Sequence, residues 1–161
     1  MALKMSDYFD IKIPSNPKMM RLVRKTIAQA CEMVGFSERE VYSITLAVDE
    51  GCTNIIRHCY GGSSQGEIVI RVRLHEDKIV IMLKDFGGEI DVKKLEECMK
   101  RRKKELENKE ALQPGGLGVM LIHSIMDKVQ YKTNPASGTV LRLVKYVAKV
   151  KGEKVASQGK Q

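Results

Sequence analysis

Hydrophobic positions recur with two periods along this chain, and the change between periods lays out its elements. Residues 8–13 alternate and predict a first strand. Pro14-Ser15-Asn16-Pro17 predicts a turn that opens a helix. Met20, Val23, Ile27, Cys31 and Val34 then follow helical spacing as far as Gly35, a helix stop. Ser37-Glu38-Arg39-Glu40 is a capping-box pattern, with Ser at the cap and Glu three residues later. A second helix therefore starts near Glu38 and ends before Gly61-Gly62. At about 100° per residue its apolar side is Val41, Ile44, Val48, Cys52, Ile55 and Cys59.

After a loop over 61–66 the period shortens to two. Ile68, Ile70, Val72 and Leu74 face one way, Arg71 and Arg73 the other. A turn at 76–78 leads into an apolar strand over 79–84, closed by Asp85-Phe86-Gly87-Gly88. This is a hairpin of an antiparallel sheet with one covered face. Residues 91–113 are charged and helix-prone with few apolar anchors, which predicts a mobile segment. Pro114-Gly115-Gly116-Leu117-Gly118 opens a short apolar helix over 119–126. Strands over 129–133 and 139–147 form a last hairpin around 134–138. The pattern predicts an α/β (α+β) two-layer sandwich: a mixed, largely antiparallel sheet with helices on one face. One domain is expected over 1–147, with a polar, disordered tail over 148–161.

Composition narrows the class. A chain of 161 residues that is 43% hydrophobic can bury one adequate core. Trp is absent, so Leu, Ile, Val and nine Met must fill it. No segment approaches the length of a transmembrane helix, and the first residues lack the apolar core of a signal peptide, so a cytoplasmic protein is expected. Cys31, Cys52, Cys59 and Cys98 show no Cys-x-x-Cys pairing, and the three histidines lack metal-ligand spacing. The net charge of +8 is concentrated in sequence at 93–104 and in the tail. Stacking aromatics are missing from both, which argues against nucleic acid. A solvated helix or mobile loop is the ordinary reading, and a loop closing over phosphates is a third.

Three segments read together as a nucleotide site. Glu50 and Asn54, four apart, stack on one helix face with Arg57 and, less centrally, His58. A merely solvated polar face is the bland alternative. Asp85 at a strand end can accept a hydrogen bond from an exocyclic amine, and the glycines after it let a flat ring approach. Gly115-Gly116-Leu117-Gly118 at a helix start can offer backbone N–H groups to phosphate. No Gly-Lys-Ser/Thr occurs, so a Walker loop is excluded. The glycines do not follow a strand of a βαβ unit, so a dinucleotide fold is unsupported.

In this order the pieces resemble the ATP-binding domain shared by gyrase, Hsp90, histidine kinases and MutL. The resemblance is strongest to its bacterial anti-sigma-factor serine kinase branch. Glu50-Gly-Cys-Thr-Asn54-Ile-Ile-Arg57-His58-Cys-Tyr60-Gly61 is similar to that branch's first box. Asp85-Phe-Gly87 is similar to the first glycine box. Gly116-Leu-Gly118 with Leu121-Ile122 and Met126-Asp127 is similar to the second, and Gly138-Thr139 to the late Gly-Thr that closes the adenine pocket.

The resemblance implies an ATP-dependent serine/threonine protein kinase. It implies Glu50 as general base, Asn54 as Mg²⁺ ligand and Asp85 as reader of the adenine amine. Gly87 would admit adenine, and Thr139 would support Asp85. Gly116, Leu117 and Gly118 would cradle phosphates, and Arg57 and His58 would reach phosphate or order the site. The basic run before Gly115 occupies the place of the family's ATP lid. The implied partner is a small antagonist protein carrying the target serine. A sigma factor is the alternative ligand, and the likeness extends to a homodimer. Glu89 departs from the family's Asp-x-Gly-x-Gly pattern, where a small residue is usual. The competing reading is an ATP-binding regulatory module without phosphotransfer.

Overall fold

The computed structural model describes residues 7–87, 93, 96, 97, 100, 101, 104, 107, 117–134 and 136–148. Gly88, Glu89, Cys98, Gly115, Gly116 and residues 149–161 of the tail expected over 148–161 lie outside the described residues. β1 (Tyr8–Pro14) leads through a short 3₁₀ turn into α1 (Met20–Val34). α2 (Glu38–Asn54), β2 (Glu67–Leu74) and β3 (Lys78–Asp85) follow. The chain continues with α3 (Leu117–Ile125), β4 (Lys128–Asn134) and β5 (Gly138–Tyr146). The described positions between 93 and 107 are helical and exposed, as their composition leads one to expect.

Local chemistry sets the helix ends. Asn16 Oδ1 accepts from Lys18 N at 3.0 Å, with Pro17 next to it at the first helical position. Gly35 ends α1 at φ 100°, a conformation that costs a side-chain-bearing residue energy. The capping box forms: Ser37 Oγ accepts from Glu40 N at 3.3 Å, and the Glu40 carboxylate accepts from Ser37 N at 2.9 Å. Lys145 Nζ donates to the Ile125 carbonyl at 2.7 Å, satisfying an open acceptor at the end of α3.

The strand order is β1-β2-β3-β5-β4. Among the described residues every pairing is antiparallel, so the sheet expected to be mixed and largely antiparallel is not mixed. One face of it carries Ile68, Ile70, Val72, Ile81, Leu83 and Leu143, all fully buried. They meet Ile27 of α1, Ile44, Val48 and Cys52 of α2 and Ile122 of α3. Burying each such side chain stabilises the fold by about 1.5–3 kcal/mol. α2 lies between α1 and α3 in the helix layer. It runs so close to the sheet that a Cβ on Gly51 would meet Leu83 Cδ1 at 2.6 Å.

The second helix is not one continuous α-helix. At Ile55 it changes to a π-type turn over Ile55–Cys59, in which Tyr60 N donates to Ile55 O at 3.2 Å. Each residue of such a turn rotates less than an α-helical one, so the phase slips. Cys59, expected on the apolar stripe, instead lies half-buried at the edge of the core beside Asp85. Among the described residues, no helix is long and apolar enough to cross a membrane.

Candidate active site

The polar face of α2 and the start of α3 enclose a cleft of about 330 Å³. Glu50, Thr53, Asn54, Arg57 and His58 form one wall, and Leu117, Gly118 and Leu121 the other. A Cβ at Gly118 would meet Glu50 Oε2 at 2.5 Å and lie 3.7 Å from Asn54 Nδ2. With no side chain at Gly118, the first turn of α3 comes down on the Glu50 carboxylate where it now stands, and a larger residue would displace that carboxylate. Asp49, next in sequence to Glu50, is turned away and accepts from Arg24 Nη1 at 2.9 Å, tying α2 to α1. Glu50 is thus left to the cleft.

A second group of residues gathers at the end of β3. Asp85 is 1% exposed and stands on the helix-covered face, paired with Ile68 on one side and Thr139 on the other. Its Oδ1 accepts from Gly87 N at 3.2 Å. Its Oδ2 is buried without a hydrogen-bond donor at bonding geometry. Burial pushes the carboxyl above its ordinary value, and the Gly87 N–H, the Cys59 thiol and the Thr139 N–H pull it partly back. Burial likewise pushes the Cys59 thiol up to about 12, so it stays protonated. Thr139 is also 1% exposed, and its hydroxyl lies 3.2 Å from that of Thr133.

Tyr60 holds this corner together. Its hydroxyl donates to Glu67 O at 2.5 Å and accepts from Phe86 N at 2.9 Å. Its ring lies against Gly87, where a Cβ would come within 2.6 Å of both Cys59 O and Tyr60 Cε1. The chain at Gly87 can pass here because it has no side chain.

The structure therefore brings Glu50, Asn54, Arg57, His58, Leu117 and Gly118 to one cleft. It brings Asp85, Gly87 and Thr139 to one corner, and the π-type turn joins the two. Gly116 lies outside the described residues. The sequence reading gave no role in the site to Thr53, Leu121 or Tyr60, and took Cys59 for a core residue. For Tyr60 the only signal was its place in the first box, because its partners are backbone groups of distant strands.

Residues 13–145 match the family described as the histidine kinase-like ATPase domain. The chain belongs to this family, in its serine-protein kinase branch. A histidine kinase-like ATPase domain of this branch is an ATP-using protein kinase. The chain is 34% identical over 142 residues to the serine-protein kinase RsbW of Oceanobacillus iheyensis, spanning 88% of each chain. It is 28% identical over 150 residues to RsbW of Bacillus subtilis, spanning 93% of this chain and 90% of that one.

Solved structures share the fold. The SiaB–SiaC complex from Pseudomonas aeruginosa aligns with a TM-score of 0.64 at 12% identity, covering 84% of this chain and 88% of that one. A Mycobacterium tuberculosis chain of RsbU and RsbW domains aligns with a TM-score of 0.59 at 15% identity, covering 87% of this chain and 32% of that one.

Proposed function

We propose that this kinase transfers the γ-phosphoryl group of ATP to a serine or threonine hydroxyl of a small antagonist protein, and acts in the cytoplasm as an anti-sigma regulatory factor. The observation that carries the residue roles is the meeting of Glu50 and Asn54 beneath Gly118 in one cleft. Glu50 is the general base that takes the proton from the attacking hydroxyl. Arg57 and His58, exposed on the same wall, meet phosphate oxygens. Gly118 and Leu117 bring the open backbone of the α3 start to the phosphates, continued by Gly116.

Asp85 reads the adenine amine. Its buried Oδ2 is an acceptor without a donor, and an exocyclic N–H would relieve that cost. Gly87 keeps the way open for a flat ring, and Thr139 steadies the carboxylate from the neighbouring strand. Asn54 is the protein's ligand for Mg²⁺. A single neutral oxygen donor suits an ion that keeps several waters and binds chiefly phosphate oxygens. When bound, Mg²⁺ neutralises phosphate charge. Most of the remaining rate enhancement comes from positioning the two substrates in the cleft.

The partner's chemistry follows the same reading. SiaB was solved in complex with a second protein, SiaC, which supports a protein partner for this fold. A sigma factor is the second ligand we propose, with the kinase working as a homodimer.

The test is to mix the chain with Mg²⁺-ATP and a candidate antagonist and to measure phosphoserine. Glu50→Gln is expected to lower transfer by about 10²–10⁴-fold while nucleotide affinity is kept. Undiminished transfer would remove Glu50 from the mechanism. Nucleotide binding with no transfer by the unaltered chain would select the regulatory module instead.

A further inference from the structure

The helices cover one face of the sheet. The other face carries charge for which the ATP cleft has no use. Strand alternation fixes its occupants, and four pairings fix their neighbours. Two of its cations are spent locally: Lys12 pairs with Glu67 at 3.1 Å, and Arg71 with Asp10 at 2.8 Å. Among the described residues, Glu67 and Asp10 are the acidic strand positions of this face. Arg73, Lys78, Lys84, Lys128, Lys132 and Arg142 remain as six further cations on the same face.

These cations do not stand on a polar floor. Val80 and Val144 pair across β3 and β5 on this face, and each is 2% exposed. With Arg73, Lys78, Lys128 and Arg142 beside them, the surface offers methylene groups at its middle and charged heads at their ends. The aromatic rings stand at its borders. Arg71 and Arg73 lie over Tyr8, at 4.9 and 5.4 Å from the ring centre. Lys78 and Lys128 lie over Tyr146, at 5.6 and 5.9 Å.

We propose that this face docks an acidic protein surface in which carboxylates flank apolar side chains, on the side of the molecule opposite the ATP cleft. Charge complementarity and the methylene floor both call for that chemistry. Single-stranded nucleic acid is a poorer match, since bases stack on rings in the middle of a sheet. Here the rings are peripheral and covered by the chain's own cations. A lipid surface is a poorer match because the apolar groups lie beneath the charges and cannot insert. A second copy would set like charge against like.

The experiment uses the full chain and a synthetic amphipathic helix of Glu and Leu as probe, with a Lys/Leu helix as control. Binding is read by fluorescence anisotropy and mapped by backbone amide shifts. The acidic helix is expected to bind, to shift amides of β3, β4 and β5, and to weaken with added salt. The triple variant Lys128→Glu/Lys132→Glu/Arg142→Glu is expected to weaken it by about ten-fold or more, with ATP affinity unchanged. Lys128→Gln/Lys132→Gln, a milder change at two exposed positions, should weaken it in the same direction.

Unaltered affinity in both variants, or shifts confined to the helix layer, would overturn the proposal. So would tighter binding of oligo(dT) or phosphatidylglycerol vesicles through the same residues, or self-association of the chain that the triple variant abolishes in sedimentation.

Discussion

Asp85 is a carboxylate held where a carboxylate is costly. It is 1% exposed, its Oδ2 has no donor, and burial raises its pKa from the ordinary 3.8. The consequence for stability has a definite sign. A folded-state pKa above the unfolded one means that the native state holds the proton more tightly. Stability from this group is therefore greatest at low pH and falls as pH rises from about 3.8 through the raised native value. Asp85→Asn should remove that fall and unfold at a higher temperature than the unaltered chain at pH near 7. Thermal unfolding without nucleotide, followed across this range, measures it. The same variant should bind ATP more weakly, since an amide offers the adenine amine a weaker acceptor. Identical pH profiles for the two chains would show that Asp85 is not strained. The sequence placed Asp85 at a strand end. That one of its oxygens is left without a donor depends on three separate segments closing around it.

At the scale of elements, the second helix and its π-type turn connect the phosphate cleft to the adenine corner. The Glu50–Asn54 spacing was legible because both residues lie in regular α-helix, where four residues make about one turn. Beyond Asn54 the same arithmetic still placed Ile55 in the core and Arg57 and His58 on the cleft, but Cys59 slipped to the edge of the apolar stripe. Tyr60 follows at the cap of this turn and fastens it to both strands of the hairpin. Tyr60→Phe keeps the ring against Gly87 but removes the hydroxyl that joins Glu67 O to Phe86 N. It should cost about 1–3 kcal/mol of stability, the range for hydrogen bonds lost at partly buried groups. It should also weaken nucleotide binding more than it changes kcat. Chemical unfolding and nucleotide titration check the two parts. A loss of kcat at unchanged ATP affinity would place the residue elsewhere in the mechanism.

For the whole molecule, helix layer and sheet come close together at Gly51. A methyl group there would come within 2.6 Å of Leu83 Cδ1 and 3.5 Å of Leu141 Cδ2. Gly51→Ala gains about 1 kcal/mol in helix propensity, yet overpacks the buried Leu83 side chain at a cost of about 1–3 kcal/mol. Net destabilisation in urea unfolding is the expected outcome, and a stabilised variant would show that Leu83 adjusts freely. The charge is organised at this scale as well. The net +8 read along the chain pointed to 93–104 and the tail. Folding gathers a further basic surface from all five strands.

The sequence by itself determined what depends on neighbours along the chain. It gave the order of helices and strands, the Ser37 capping box, the stop at Gly35, the covered face of β2 and the pairing of Glu50 with Asn54. Each follows from a period or a short motif within a few residues. Only the tertiary structure decided what depends on register and close approach. It set Gly118 on Glu50, left Asp85 Oδ2 without a donor and tied Tyr60 to two strands. It also brought the cations of five strands onto one face. The physical reason is common to all four. Alternation tells which side of a strand a residue takes, but not which strand lies beside it or how near a backbone comes.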